Sequence, residues 1–243
     1  MPAAILAALA VAAAPADLEK SCNAGNAADC FALGTRVHDG IGARRDPARA
    51  ADLFRKACKG KHQDGCADEA RALALGEGQP PNPRAGVPRL EKMCKQGQPR
   101  ACGNLGDLFM RGLGGPQDSL RGEKLLEEAC AKKVARACAN LAAVAWRAGD
   151  AERAEQLAEE ADDLGDPIGY GYLGDLCTRS DDTLRAIVYY RQGCEAGLAH
   201  ACAGQGFLLR ESGVDEKKAT ELLQRGCEGG DQNACQALQP PRK

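Results

Sequence analysis

The sequence has few aromatic residues and no excess of either charge. Its 243 residues include four Phe, four Tyr and one Trp, and the formal net charge is -2. Alanine and glycine are abundant instead, and such small residues let helices pack closely. Because Lys and Arg are dispersed among Asp and Glu without a basic stripe or stacking aromatics, no nucleic-acid partner is predicted.

The common catalytic motifs are missing as well. There is no phosphate loop, no dinucleotide-binding fingerprint and no His-Glu-x-x-His zinc site. Ser-x-x-Lys is also absent, since the residues three positions after the four serines are Ala24, Gly122, Thr183 and Asp215. The sequence therefore predicts no catalytic residue, no cofactor and no metal.

Cysteine, in contrast, is plentiful and regularly placed. Twelve of the thirteen cysteines form pairs eight residues apart: Cys22/Cys30, Cys58/Cys66, Cys94/Cys102, Cys130/Cys138, Cys194/Cys202 and Cys227/Cys235. A further unit aligns without gaps between the fourth and fifth pairs, with Asp162 and Tyr170 at the cysteine positions. Counting it, the units follow at spacings of 36, 36, 36, 32, 32 and 33 residues. Such a period is typical of solenoids built from helix pairs.

Each unit reads as two helices, A and B. In the third unit, Pro99 to Met110 has apolar or small residues at positions 0, 3, 4 and 7, counted from the second cysteine of the unit, Cys102, which predicts helix A. Asp118 or Ser119 can cap helix B, and the next helix A begins near Ala135. Position 4 of helix A is always small, so we expect the two helices to touch there; its residues are Gly34, Ala70, Gly106, Ala142, Gly174 and Gly206.

The paired cysteines predict disulfides across the short turns between helix B and the next helix A. An eight-residue separation across a helical hairpin can bring two Cα atoms within disulfide range. Each bond should contribute roughly 2 to 3 kcal/mol, an important amount if the repeats contact only their neighbours and lack long-range contacts. The alternative, zinc binding, is weaker because zinc knuckles use two to four intervening residues.

The N-terminus and the disulfides both suggest export. Residues 2–16 are uncharged and end in Ala14-Pro15-Ala16, a form that signal peptidase cleaves, and the run is too short to span a bilayer. No Lys or Arg precedes it, so the alternative is the second half of an N-terminal repeat, against which Pro15 argues. Because disulfides persist in oxidising compartments, we predict a periplasmic or secreted protein.

Two further sets of residues attract attention. Cys177, the unpaired cysteine, aligns with apolar residues and is expected to be a buried free thiol.

Positions 2, 5 and 9 of helix A should face the concave side of the solenoid; they hold Asn104, Asp107, Arg111, Asn140, Ala143, Arg147, Tyr172, Asp175 and Arg179. Such a row could clamp a peptide backbone or a carboxylate, or each arginine could simply end its helix. Trp146, beside the row, is either a partner anchor or partly buried against the next unit.

These features resemble a known family. Ala32-Leu33-Gly34, His38-Asp39-Gly40-Ile41-Gly42, Asp46-Pro47-x-x-Ala50 and Phe54-x-Lys56-Ala57-Cys58-x-x-Gly60 resemble the Sel1-like repeat, a relative of the tetratricopeptide repeat. The paired cysteines are similar to those of the cysteine-rich branch typified by secreted Helicobacter proteins. The resemblance implies a right-handed superhelix of helical hairpins, each clipped by a disulfide. The chain departs from it at Asp162 and Tyr170, where the joint should be softer, and at Pro88, near which helix B of unit two should begin.

We therefore predict an all-α, right-handed superhelical solenoid of about six helix pairs over residues 17–239, after a signal peptide (1–16) and before a tail (240–243). We predict that it acts as a non-catalytic scaffold that binds an unidentified protein or peptide. We also predict a monomer that does not insert stably into a membrane. The resemblance also implies two alternatives: β-lactam binding or weak hydrolysis, and an assembly factor or redox-linked chaperone that would use Cys177. A metallo-β-lactamase site is not expected, since His38, His62 and His200 are the only histidines.

Overall fold

A computed structural model describes residues 14–113 and 117–239, and these residues fold as α-helices without strands. The helices are α1 (Pro15–Asn23), α2 (Ala27–Asp39), α3 (Pro47–Lys59), α4 (Gln63–Leu75), α5 (Pro83–Lys95), α6 (Pro99–Arg111), α7 (Ser119–Ala131), α8 (Ala135–Arg147), α9 (Ala151–Asp163), α10 (Ile168–Arg179), α11 (Thr183–Glu195), α12 (Ala199–Ser212), α13 (Glu216–Glu228) and α14 (Gln232–Ala237). The predicted fold class, an all-α solenoid of helical hairpins, is confirmed.

The even-numbered helices from α2 to α12 are the A helices, and the odd-numbered helices from α3 to α13 are the B helices. Six A–B pairs follow one another, with α1 and α14 at the two ends. Every B helix begins with an aspartate or asparagine whose side chain accepts the backbone N–H three residues later; these caps are Asp46, Asn82, Asp118, Asp150, Asp182 and Asp215. One capping residue per repeat thus fixes where each B helix starts.

The six predicted cysteine pairs all form disulfides. Each bond joins the last turn of one helix to the first turn of the next, with Cα atoms 4.4 to 4.8 Å apart; the bonds are Cys22–Cys30, Cys58–Cys66, Cys94–Cys102, Cys130–Cys138, Cys194–Cys202 and Cys227–Cys235. No helix in the two described ranges is long and apolar enough to cross a membrane. Residues 1–13 of the predicted signal peptide and the tail 240–243 lie outside the described residues.

Four of the paired cysteines make a second contact, which the sequence did not predict. In each of these pairs, the sulfur of the second cysteine lies 3.4 to 3.7 Å from the backbone carbonyl oxygen of the first; the second cysteines are Cys30, Cys66, Cys202 and Cys235. A thiol at this distance could donate a weak hydrogen bond, but a disulfide sulfur carries no hydrogen. These four disulfide sulfurs therefore also pack against a carbonyl oxygen in the last turn of the preceding helix.

The glycines at position 4 of helix A lie in direct contact with helix B, as predicted; they are Gly34, Gly106, Gly174 and Gly206. A Cβ atom on Gly106 would come within 2.8 Å of the backbone oxygen of Gly122 on the facing helix. At Gly174 the neighbour is the ring of Tyr190, which is also wedged against Gly204. A larger residue at these positions would push the two helices apart.

The prediction for Pro88 was wrong. Helix α5 runs unbroken from Pro83 to Lys95 with Pro88 inside it. Pro88 has no N–H to donate to the carbonyl of Arg84, but both residues are exposed, so water can bond to that carbonyl. Asn82 fixes the start of the helix by accepting the N–H of Ala85 at 3.1 Å. The cap therefore determines the helix start despite the proline.

The expectation that repeats contact only their neighbours was also wrong. The loop after α2 meets the loops before α12 and before α14. Gly42 N–H donates to Gly197 O at 3.1 Å, Ala199 N–H to Gly40 O at 3.1 Å, and Arg45 N–H to Gly229 O at 2.8 Å. We call this set of contacts, over residues 40–45, 197–199 and 229–230, the seam. It arises because the superhelix turns far enough to bring its first repeat against its last two.

Candidate functional site

The A helices line the concave side of the superhelix, where two adjoining cavities lie. The larger, the central cavity, has a volume of about 880 Å³ and lies between the C-terminal ends of α2 and α4 and the N-terminal parts of α8, α10, α12 and α14. The smaller, the arginine groove, has a volume of about 320 Å³ and is lined mainly by α6, α8 and α10. The two cavities share five lining residues: Asp107, Arg111, Asn140, Tyr172 and Asp175.

Every residue of the predicted concave row lines one or both cavities. Asn104 lines the central cavity, and the arginine groove holds Asp107, Arg111, Asn140, Ala143, Arg147, Tyr172, Asp175 and Arg179. Apolar side chains of Met110, Val144 and Leu176 lie among them. These side chains converge because they occupy the same positions on three successive A helices, α6, α8 and α10.

The three arginines of the groove differ in how they are bonded. Arg111 donates to Asp107 at 3.3 Å, one helical turn away. Within the described parts of the chain, Arg147 and Arg179 form no hydrogen bond or ion pair, and both are exposed. Arg179 nevertheless helps to lower the pKa of Asp175, after that carboxylate's stronger contacts with His200 and Tyr190 have offset the effect of burial. Two guanidinium groups thus have donors free for a ligand.

Asp175 is held by neighbours from later helices. Its carboxylate accepts Tyr190 Oη at 2.7 Å and lies 2.7 Å from His200 Nε2. The other ring nitrogen of His200 is 3.4 Å from Asp231. The hydrogen bonds to Asp175 and Asp231 raise the pKa of His200 to about 10. A protonated His200 therefore offsets the negative charge of Asp175 at neutral pH.

Asn104 has a structural partner instead of a free amide. It is buried and donates to Asp68 at 2.7 Å. Asp68 also accepts two bonds from Arg100, at 2.7 and 3.0 Å. Burial would raise the pKa of Asp68, but Arg100 and its hydrogen bonds outweigh burial and lower it. Asn104 thus joins unit three to unit two and is not available to a ligand in this arrangement.

Sequence reasoning missed the charged residues of units one and two on this surface. Asp68 and Arg71 occupy positions 2 and 5 of unit two, and Asp39 occupies position 9 of unit one. The same register that identified the row in units three to five applies to them, so extending it would have found all three. Their partners could not be found in this way, because they come from other repeats.

The longest-range partner is Arg136 of α8. Its guanidinium pairs with Asp39, 97 residues earlier, and with Asp166 at 2.7 Å. Burial would raise the pKa of Asp39, but Arg136 and then His38 lower it. His38 lies 2.5 Å from Asp39 and 3.1 Å from Glu77. This ion-pair network fixes unit one against unit four beside the central cavity.

Trp146 lines neither cavity. It is partly buried, its ring meets Tyr189 edge-on with centroids 6.1 Å apart, and Arg185 lies over it at 5.6 Å. This matches the alternative of partial burial against the next unit. Trp146 and Tyr189 pack in the same hydrophobic cluster as buried Tyr170, which stands at the joint where the disulfide is missing.

Cys177 is buried, as predicted, with none of its surface exposed. Burial, and then the carboxylate of Asp182, raise the pKa of its thiol to about 11. The redox alternative required an accessible thiol, and the structure does not provide one. Elsewhere, Glu160 lies close to the sulfurs of Cys130 and Cys138, but those sulfurs are bonded to each other and offer no thiolate to a metal.

The disulfides lie apart from the concave site. None of the twelve paired cysteines lines the central cavity or the arginine groove. Cys30, Cys66, Cys202 and Cys235, whose sulfurs also contact a carbonyl, are placed in the first turns of α2, α4, α12 and α14. The disulfides therefore link consecutive helices, and other residues line the two concave cavities.

Comparison with known proteins identifies the repeat. A family model for the Sel1 repeat matches residues 27–62, 99–134, 163–198 and 201–231, which is more than half of the chain. No curated protein matches the chain by sequence. A solved Sel1 repeat protein from Oxalobacter formigenes is similar, with a TM-score of 0.52 and 21% identity, over 91% of this chain and 67% of that one. Immunity protein Pa5087 from Pseudomonas aeruginosa is also similar, with a TM-score of 0.57 and 17% identity, over 85% of this chain and 83% of that one.

Proposed function

Because the chain belongs to the Sel1 repeat family and has the disulfide pattern of its cysteine-rich branch, we propose that it is an exported, non-catalytic scaffold. It binds a segment of a partner protein along the concave surface of α6, α8 and α10. The observation that carries the proposal is the convergence of the row from three successive A helices into one groove.

The chemistry of the groove supports a peptide ligand. Amide side chains bond to peptide groups, and guanidinium groups pair with carboxylates in a fork. The Asn140 side chain has no hydrogen-bond partner among the described residues, and the same is true of Arg147 and Arg179. Met110, Val144 and Leu176 supply apolar contact between these polar groups. In the described parts of the chain neither cavity is lined by a serine, so nothing there favours the β-lactam alternative.

The six disulfides support a location in an oxidising compartment. Cleavage after Ala16 would fall in the first turn of α1, which begins at Pro15, and would keep Leu18 and Cys22 of that helix. Both side chains are buried in the first repeat. Export and signal-peptide removal are therefore compatible with an intact N-terminal repeat.

Site-specific photocrosslinking tests the proposed surface. A photoreactive phenylalanine analogue replaces Leu176 in the groove, and in a control variant it replaces Leu184, which is 81% exposed and lines neither cavity. Cells exporting each variant are irradiated, and adducts are identified by mass spectrometry. We expect a protein adduct at position 176 that is absent at 184. Adducts confined to position 184, or equal at both, would contradict concave binding.

A further inference from the structure

We infer that the arginine groove recognises an acidic peptide in the polyproline II conformation, with an acidic side chain at every third residue. The inference rests on the proposed function and names the partner chemistry of the same surface. It starts from the arginines, one from each of three successive A helices at the same helical position: Arg111, Arg147 and Arg179.

The spacing of these helices sets the spacing of the ligand. Helix α8 contacts both α6 and α10 directly, and packed helices have axes about 8–10 Å apart. A polyproline II chain rises about 3.1 Å per residue with three residues per turn, so residues i, i+3 and i+6 point in one direction about 9.3 Å apart. One acidic side chain of such a ligand would therefore face each arginine.

Other backbone conformations fit less well. In a β-strand, residues i and i+3 lie on opposite faces, so every second acidic side chain would point away from the row. An α-helix could present acidic side chains seven residues apart, but its diameter is about 10–12 Å. A groove of about 320 Å³ encloses neither ligand fully, but a cylinder of this width would meet it with one face only. A thin extended chain suits this volume better.

The lining between the arginines also suits this ligand. Val144 and Leu176, on α8 and α10, are partly exposed in the groove, and Met110 lies beside Arg111. Proline rings between the acidic residues could pack on these side chains. Because proline has no backbone N–H, the groove needs no acceptor for it. Asn140 can donate to the carbonyls of a polyproline II backbone, which makes no internal hydrogen bonds.

The charges of the groove favour an anion despite two carboxylates in its wall. Asp107 is paired with Arg111, and Asp175 is held by His200 and Tyr190. Arg147 and Arg179 have no such partner within the described residues. Neither guanidinium group is held in an ion pair, so an acidic ligand gains two charge-assisted pairs without displacing an existing one.

Fluorescence anisotropy with short labelled peptides tests the inference on the oxidised full-length protein. The probe is Glu-Pro-Pro-Glu-Pro-Pro-Glu, and two controls of the same length are the blocked isomer Glu-Glu-Glu-Pro-Pro-Pro-Pro and the neutral Gln-Pro-Pro-Gln-Pro-Pro-Gln. The protein variants are R147Q/R179Q and, as a control, R191Q, an exposed arginine of α11 that lines neither cavity. Circular dichroism checks that all variants are folded.

We expect the spaced acidic probe to bind at least tenfold more tightly than either control peptide. R147Q/R179Q should weaken that binding at least tenfold, whereas R191Q should leave it within twofold. Equal binding of the spaced and blocked acidic peptides, or no binding of the spaced one, would overturn the inference. Those outcomes leave the photocrosslink at position 176 as a separate test of concave binding, so failure of the inference can be distinguished from failure of the proposed function.

Discussion

At the residue scale, Tyr190 shows how closely the small residues of this repeat are matched to their neighbours. Its ring fills the space above Gly174 and Gly204, at 2.5 and 2.6 Å from where their Cβ atoms would lie, and its hydroxyl donates to Asp175. One aromatic side chain thus joins three residues on two A helices. The two glycines leave the space that the tyrosine ring occupies.

We predict that G174A destabilises the protein although alanine favours helices. The added methyl group would overlap the buried ring of Tyr190, and overpacking of this kind costs about 1–3 kcal/mol. G103A serves as the control, because its nearest neighbours are methyl groups 3.3 and 3.4 Å away. Urea unfolding monitored by circular dichroism should give a lower midpoint for G174A only. A midpoint equal to or above that of the wild type would contradict the packing described here.

His200 gives a pH-dependent prediction at the same scale. Its pKa is raised from the ordinary 6.5 to about 10 by Asp175 and Asp231, so its contribution is complete below pH 6.5 and fades as the pH rises towards 10. Because the side chain is 49% exposed, we expect a loss of about 1 kcal/mol or less between pH 6 and pH 9. H200Q should lack this part of the pH dependence. Identical pH profiles of unfolding for the two proteins would rule out the ion pairs.

Single residues were predictable from the sequence where their role repeats. The disulfides, the small residues of position 4 and the buried state of Cys177 follow from register alone. The partners of Asn104 and Trp146 do not, since Asp68 and Tyr189 lie in neighbouring repeats and nothing in the local sequence selects them. A side chain placed correctly on the concave face can therefore still be occupied by a structural contact.

At the element scale, capping residues determine the helix boundaries more strongly than proline does. Helices A and B of unit three were predicted almost to the residue, because Asp118 marks the start of α7 and Gly112 follows the end of α6. In unit two, the presence of Pro88 led to the prediction that helix B begins near that residue, but α5 begins at Pro83. Asn82 stands where the other B helices have aspartate, and that alignment was the better guide.

Replacement of Pro88 should stabilise helix α5. P88A restores an N–H that can donate to the carbonyl of Arg84, and an interior proline costs up to about 3 kcal/mol relative to alanine. The matched control is P83A, because Pro83 occupies the first turn of the helix, where a missing N–H is harmless. Thermal unfolding should show a higher midpoint for P88A and little change for P83A. Equal midpoints for P88A and the wild type would mean that α5 already compensates for the proline.

At the scale of the whole molecule, the seam distinguishes this chain from an open solenoid. The repeat predicts helix pairs and neighbour contacts, but the seam depends on the small rotations between repeats, which add up along the chain. No residue pattern at residues 40–45 indicates a partner at residues 197–199. The ion pair between Asp39 and Arg136, 97 residues apart, arises from the same closure. The central cavity has its shape because the first repeat returns to the last ones.

Closure makes a prediction about backbone exchange. The amides of Gly42, Arg45 and Ala199 lie in or next to loops but donate across the seam, so we expect them to exchange with solvent more slowly than other loop amides. D39N replaces a buried carboxylate of the pair with Arg136, and should speed exchange at these three amides at least tenfold. Hydrogen exchange followed by mass spectrometry on peptides covering residues 40–46 and 197–200 measures this effect.

The control for the seam is D166N, which alters the other carboxylate bound by Arg136. Asp166 lies just before α10 and contacts Arg136 of α8, so it joins adjacent units and not the two ends of the superhelix. D166N should therefore change exchange near α10 and leave the seam amides protected. If D39N and D166N changed seam exchange equally, Arg136 would support closure only through the general stability of its repeat. A selective effect of D39N would instead show that the ion pair between units one and four supports closure at the seam.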